Sequence, residues 1–369
     1  MARQDALISA DAHVNEPPDL WTARLPSRWA GRAPRMERFE QGDAWVMEGA
    51  LDPINFGANC NVGLPPEQRP AWIPWEAVRA GGHVPSARVE EQIADGIGAE
   101  VLYPTPRVSN QLWWNAEDPD FHVACIGAYN DWLSEFCAHD PSRLWGVAML
   151  PNAGVDGALD ELHRALALPG MRGALIGQYP HGGEVLDRVD DPLWAALQEA
   201  GVPLSIHVGF ATGPQGDKSR MKPSQASGAA RFFDAPVRVT QFIEGGVFDR
   251  FPELHLVLVE VDSSWLPYLA EQLDDRFGRA NPATRADIGR QPSEYFSDNI
   301  LSTFITDRYG IANRHAVGVT QMMWSTDYPH SGSDWPNSRR SIDEQFAGVP
   351  DDERALMLGG NAERLYGAR

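Results

Sequence analysis

Lysine is almost absent from this chain. Its 369 residues include two, Lys218 and Lys222, both in one polar segment. No expected strand can therefore supply a lysine to a metal site. Cysteine is scarce as well. Cys60, Cys125 and Cys137 form no CxxC pair, which argues against a disulfide framework and a thiolate zinc site. No stretch approaches 18 uninterrupted apolar residues, so no transmembrane helix is expected. The opening MARQDALISADAHVNEPP lacks the apolar core of a secretory signal, and the expected location is cytoplasmic. Positive charge is in deficit: 31 Lys and Arg face 51 Asp and Glu, a net charge of −20. Such a chain repels phosphate backbones and anionic membranes, so neither nucleic acid nor a membrane is an expected partner.

What is present reads as one large domain over residues 1–369. Short apolar runs alternate with helical stretches. The expected strands are Leu7–Ala10, Glu100–Tyr103, Leu144–Leu150, Gly173–Ile176, Pro203–Val208, Leu256–Val261, Ile300–Ile305 and Met322–Ser325. Helices are expected between them, at Phe121–Cys137, Val155–Ala167, Pro192–Ala200, Ala235–Phe248, Ser264–Arg276 and Asn337–Phe346, with a last one over Asp351–Tyr366 packed outside. Eight strands alternating with helices point to a (β/α)8 TIM barrel, α/β in class. An open dinucleotide-binding sheet would open on a GxGxxG turn, which strand 1 lacks. Residues 14–86 are rich in Pro, Gly and Trp with little periodicity. They read as an inserted arm or lid over the barrel mouth, or as a peripheral ornament. The arm and the 13 tryptophans suggest a homodimer.

Barrel enzymes carry their chemistry at the strand C-termini. Strand 1 ends in Asp11-Ala12-His13, whose first and third residues share a face, and Glu16 follows. Strand 5 ends in His207, strand 6 in Glu260, and strand 8 in Asp327-Tyr328-Pro329-His330. Each has a bland alternative. His207 could be a core histidine, Asp11 and Asp327 could form turns, and Glu260 could pair with an arginine. Gathered at one rim, they make a metal site of nitrogen and oxygen donors the better reading. His83, His122, His139, His163, His181, His255 and His315 fall on helices, in loops or at the opposite rim, and read as structural or exposed.

The segments DAHVNEPPDLW, SIHVGF, GVFDRFPELHLVLVEVDSSWLPYLAEQLD and MMWSTDYPHS resemble the amidohydrolase-2 family, relatives of aminocarboxymuconate-semialdehyde decarboxylase. The likeness extends to AYNDWLSEFC and the closing NAERLYG. It implies a metal held by Asp11, His13, His207 and Asp327. Binuclear members begin strand 1 with His-x-His and use a carboxylated lysine on strand 4. Here strand 1 has Asp-x-His, and Gly173–Ile176 has no lysine. Decarboxylase-type members keep an acid/base histidine near the end of strand 6, where this chain has Glu260.

Seven donors thus stand at the rim: Asp11, His13, Glu16, His207, Glu260, Asp327 and His330. That exceeds the four to six that one metal takes. No histidine has a glutamate three residues before it, which excludes the helical-bundle diiron pattern. The opening, the arm, Glu260 and DYPHSGSDWP also resemble the TIM-barrel nonheme diiron monooxygenases of platensimycin-type diterpenoid biosynthesis. That resemblance implies two iron ions, O2, Glu260 and His330 as catalytic groups, and a bulky apolar substrate of secondary metabolism. The substrate is expected as a CoA thioester, with Lys218, Arg220 and Lys222 as the basic cluster that would meet its phosphates. The alternative is a hydrolase or nonoxidative decarboxylase with one zinc or manganese. A barrel kept for binding alone fits worst, because every donor is in place.

Overall fold

The runs of small, apolar and β-branched residues form strands, as their composition predicts. They are β1 (Leu7–His13), β2 (Arg35–Phe39), β3 (Gly42–Val46), β4 (Ile97–Tyr103), β5 (Leu144–Met149), β6 (Met171–Ile176), β7 (Leu204–His207), β8 (Leu256–Val259), β9 (Ile300–Phe304) and β10 (Met322–Trp324). The structure, a computed structural model, describes residues 7–210 and 234–367. Eight strands make one parallel sheet in the order β1-β4-β5-β6-β7-β8-β9-β10. Nearly every residue in them is buried, as expected of a sheet covered by helices outside and side chains within. The first and last strands meet. Asp327 N donates to Asp11 O at 3.0 Å and His13 N to Tyr328 O at 2.6 Å. The fold is the expected TIM barrel.

The helices begin where their sequences say. Proline occupies the first turn at Pro85–Asp95, Pro106–Trp114, Pro119–Cys137 and Pro292–Asn299, where its missing N–H is not needed. Two expectations need correction. The expected helix Ala235–Phe248 is two, Ala235–Glu244 and Val247–Arg250. The break is Gly245-Gly246, with Gly246 at φ +64°. The expected outer helix over Asp351–Tyr366 is a short helix, Asp351–Ala355, followed by π-helical turns at Leu356–Gly360 and Glu363–Gly367. This segment seals the strand-start end of the barrel rather than lying outside. Asn361 donates to Met322 O at 2.8 Å, and the buried Tyr366 brings its hydroxyl to 3.3 Å from that of Tyr103.

Between β1 and Pro85 the chain forms the β2–β3 hairpin and several short 3-10 turns. Trp21 and Trp45 cross edge to face at 5.0 Å within it, and Trp21 Nε1 donates to Cys125 O at 2.9 Å. Its Ala58–Val62 stretch bonds the loop after β10: Ser331 N to Ala58 O at 2.9 Å and Val62 N to Pro329 O at 3.1 Å. Among the described residues no helix is long and apolar enough to cross a membrane.

Candidate metal centre

The period-2 rise of β1 aims Asp11 and His13 into the barrel from one face, both fully buried. His207 ends β7 and Glu260 follows β8. Asp327 lies just past β10. Their donor atoms converge. His13 Nε2 is 3.3 Å from Asp11 Oδ1, 3.3 Å from His207 Nε2 and 3.4 Å from Asp327 Oδ1. His207 Nε2 is 3.6 Å from Glu260 Oε2. Two groups, Asp11–His13–His207–Glu260 and His13–Glu260–Asp327–His330, each have donor atoms within 4.8 Å of one another. They share His13 and Glu260 and form one cluster.

These donors fit a cation. Two ligands about 2.1 Å from one metal, at tetrahedral or octahedral angles, lie about 3.0–3.4 Å apart. That is the spacing found between His13 Nε2 and its neighbours. Both carboxylate oxygens of Asp11 are buried without a hydrogen bond, an arrangement that is costly unless positive charge faces them. The His13 ring is set for ligation, because Nδ1 sits 2.8 Å from Pro104 O. Nδ1 therefore carries the proton and Nε2 turns its lone pair to the cluster.

The facing charges shift one another. Burial raises the Asp11 pKa, but His13 and His207 outweigh it and hold the carboxyl well below its usual range. Burial lowers the His207 pKa, but Asp11 and Glu260 carry it up to about 9. Burial, then the charges of Asp327 and Asp11, push Glu260 up to about 7. Glu260 and Asp327 are also held at φ 61° and 52°. This left-handed region is strained for non-glycine residues, and such strain gathers at functional sites.

One expected donor stands apart. Glu16 belongs to neither group, because its Oε1 accepts the Thr105 backbone N–H at 2.9 Å. His330 belongs to the second group: its Nδ1 is 2.7 Å from Asp327 Oδ1, and its Nε2 is 3.1 Å from Asn59 Nδ2. Its ring stacks on His13 with centroids 3.9 Å apart. Of the seven expected donors, six come together: Asp11, His13, His207, Glu260, Asp327 and His330. Of the histidines read as structural, His122 is held at 3.1 Å by both Leu112 O and Asn152 N. The basic cluster Lys218, Arg220 and Lys222 lies outside the described residues.

Sequence reasoning missed three supports. Asn59 comes from the irregular arm and gave no signal. Pro104 O is a backbone group. Arg88 is 1% exposed on a helix and donates to His13 O at 2.8 Å and to Glu100 Oε2 at 2.5 Å. A carboxylate such as Glu100 inside an apolar strand is the one signal that could have pointed to Arg88. Beside the cluster, Pro104, Asn110, Trp113, Gly177, His207 and Phe210 line a pocket.

The amidohydrolase family profile matches residues 11–368. A gamma-resorcylate decarboxylase from Polaromonas is 25% identical over 256 residues, 64% of this chain and 74% of its own. The 2-amino-3-carboxymuconate-6-semialdehyde decarboxylase of Dictyostelium discoideum is 23% identical over 287 residues, 77% of this chain and 76% of its own. Among solved structures, a Polaromonas dihydroxybenzoic acid decarboxylase with bound manganese and 2-nitroresorcinol has a TM-score of 0.65 and 19% identity, covering 98% of this chain and 97% of its own. These relatives overturn the monooxygenase expectation and its oxidoreductase chemistry, and the manganese of the Polaromonas structure lends no support to two irons. The surplus of donors that favoured two metals loses Glu16, which the fold turns to Thr105. The chain belongs to the amidohydrolase family.

Proposed function

We propose that this chain is a metal-dependent nonoxidative decarboxylase of aromatic or conjugated carboxylic acids. The observation that carries the reading is the placement of Glu260. Its carboxyl stands at the edge of the donor cluster, 3.6 Å from His207, where the family resemblance puts an acid/base histidine. The decarboxylase relatives supply the reaction class.

Asp11, His13, His207 and Asp327 would hold the cation. A divalent ion there, manganese as in the Polaromonas structure or zinc, supplies positive charge that anchors the substrate's acidic oxygens. The pocket walls Trp113 and Phe210 suit a flat ring, which stacks or packs edge-on against aromatic side chains. Glu260 gives its proton to the carbon that bears the carboxylate. The bond from that carbon to the carboxylate then breaks, its electron pair stays with the carbon framework, and CO2 leaves. One proton enters and one CO2 departs, so no oxidant is needed. Glu260 is reprotonated from the mouth. The arm, residues 14–86, acts as a lid that keeps bulk water from the protonated ring.

The test is CO2 release from a panel of ortho-hydroxybenzoates by the manganese-loaded protein without O2. Run in D2O, the reaction should place deuterium where the carboxylate stood. Glu260→Gln should keep its metal and lose about 10²–10⁴-fold in turnover, the range for a missing general acid. Turnover that requires O2, or a Glu260→Gln variant as fast as wild type, overturns the mechanism.

A further inference from the structure

We infer that Thr303 is a positioning residue for Glu260: its hydroxyl holds the Glu260 N–H and so fixes the left-handed turn that swings the Glu260 carboxyl into the barrel. The effect on turnover rests on the role proposed for Glu260 above; the effect on the backbone does not.

The strand pattern alone would send Glu260 the other way. β7 and β8 run parallel, with Ser205 opposite Val257, Ile206 opposite Leu258 and His207 opposite Val259. Residues opposite one another share a face of the sheet, and the face alternates along each strand. His207 reaches the donor cluster, so Val259 faces inward with it and Leu258 faces the helices. An extended strand would point the next residue, Glu260, at the helices too. Yet its carboxyl lies inside, 3.6 Å from His207. The backbone makes the reversal. Glu260 stands at φ 61° and Asp262 at φ 59°, a conformation in which Cβ crowds the following carbonyl.

Such a turn needs holding, and the holds come from side chains of β9 and the residues just past it. Leu258 stands opposite Ser302, so Thr303, one residue on, faces the barrel interior at the rim. Thr303 Oγ1 accepts the Glu260 N–H at 2.8 Å. Further along the loop, Asp307 Oδ2 accepts the N–H groups of Ser263 and Ser264, both at 2.8 Å. Ser263 and Ser302 join hydroxyls at 2.7 Å. Asp307 and Ser302 thus fix where the loop lands, and Thr303 acts at Glu260 itself. Valine in its place keeps the branched shape that suits a strand but takes the acceptor away. The left-handed turn then loses the bond that offsets its strain, and Glu260 relaxes toward the extended form that carries its carboxyl away from His207.

The test pairs Thr303→Val with Thr303→Ser, which keeps the hydroxyl. Amide hydrogen exchange of the metal-free protein, followed by NMR, reports the backbone. The Glu260 N–H should be protected in wild type and in Thr303→Ser, and should exchange about 3–10-fold faster in Thr303→Val, the worth of one hydrogen bond. Turnover of the manganese-loaded protein reports the carboxyl. Thr303→Val should lower kcat by the same factor, with KM and Mn2+ affinity unchanged, and Thr303→Ser should restore it. In a Glu260→Gln background, Thr303→Val should cost nothing more, because a residue that acts only through Glu260 has no effect once that carboxyl is gone. An unprotected Glu260 N–H in wild type, or a Thr303→Val variant in which either exchange or kcat is unchanged, overturns the inference. So does a Thr303→Val loss that persists in full in the Glu260→Gln background, which marks a general structural role. If Glu260→Gln is as fast as wild type, the acid role fails instead, and the amide exchange alone decides on Thr303. Should Thr303→Val fail to fold, the Glu260 exchange of wild type and Thr303→Ser remains decisive.

Discussion

Replacing Arg88 by methionine tests whether the barrel wall and the metal site depend on one buried cation. The guanidinium is 1% exposed. Nε donates to Glu100 Oε2 at 2.5 Å, and Nη1 donates to His13 O at 2.8 Å and Gly81 O at 3.2 Å. Methionine fills much of the stem but leaves Glu100 as a buried charge whose remaining donor is Gln92, at 2.7 Å. Removing one partner of a buried pair costs about 3–5 kcal/mol. Arg88→Met should lose that much in urea unfolding of the metal-free protein, followed by tryptophan fluorescence. Arg88→Met with Glu100→Met removes both charges and should lose about 2 kcal/mol or less, the value of two carbonyl hydrogen bonds. Mn2+ affinity should fall in both variants, because both free the His13 carbonyl. A single variant within about 1 kcal/mol of wild type, below the range for a broken buried pair, would refute the reasoning. So would a double variant no more stable than the single.

A Cβ on Gly177 would lie 2.0 Å from Trp113 Cε3, and the Trp113 indole is tied to Leu150 O at 2.8 Å. Gly177→Ala should push the ring into the pocket, cost about 1–3 kcal/mol and cut kcat/KM with metal content unchanged. Unaltered kinetics would show that this wall does not touch substrate. Burial raises the Glu16 pKa from 4.5 to about 7, so the folded state binds more protons than the unfolded between those values. Its contribution to stability is greatest below pH 4.5 and falls as pH climbs to 7, by roughly 3 kcal/mol. Glu16→Gln should lack that slope, so its stability relative to wild type should rise over this interval; a flat difference would refute it.

The barrel and the heart of its site were readable because both follow short-range rules. A period of two puts Asp11 and His13 on one face, and strand ends put His207 and Asp327 at one rim. The break at Gly245-Gly246 was written in the two glycines and overlooked because the apolar spacing runs through it. Other features have no local signature. Tyr366 is a buried plug because it meets Tyr103, which no periodicity reports. Glu16 looks equivalent in sequence to the residues that cluster, since a residue type states what can bind a metal, not where it points. Thr105 takes its carboxylate, a backbone contact that no spacing in the sequence reports.

The barrel closes at its metal site. Ser9 and Thr326, 317 residues apart in the chain, bond across the seam at 3.0 Å between their hydroxyls, two residues before Asp11 and one before Asp327. The contacts that complete the centre are thus among the longest-range in the molecule, and such contacts form late because their loop-closure entropy must first be overcome. On the ribosome, the strand-1 donors emerge early and wait, without Asp327, until nearly the whole barrel has been made. A chain that stalls before β10 would leave Asp11, His13 and His207 without their fourth partner. Activity in this architecture would then report completion of synthesis as well as correct folding, and metal capture would stitch together the two strands that meet last.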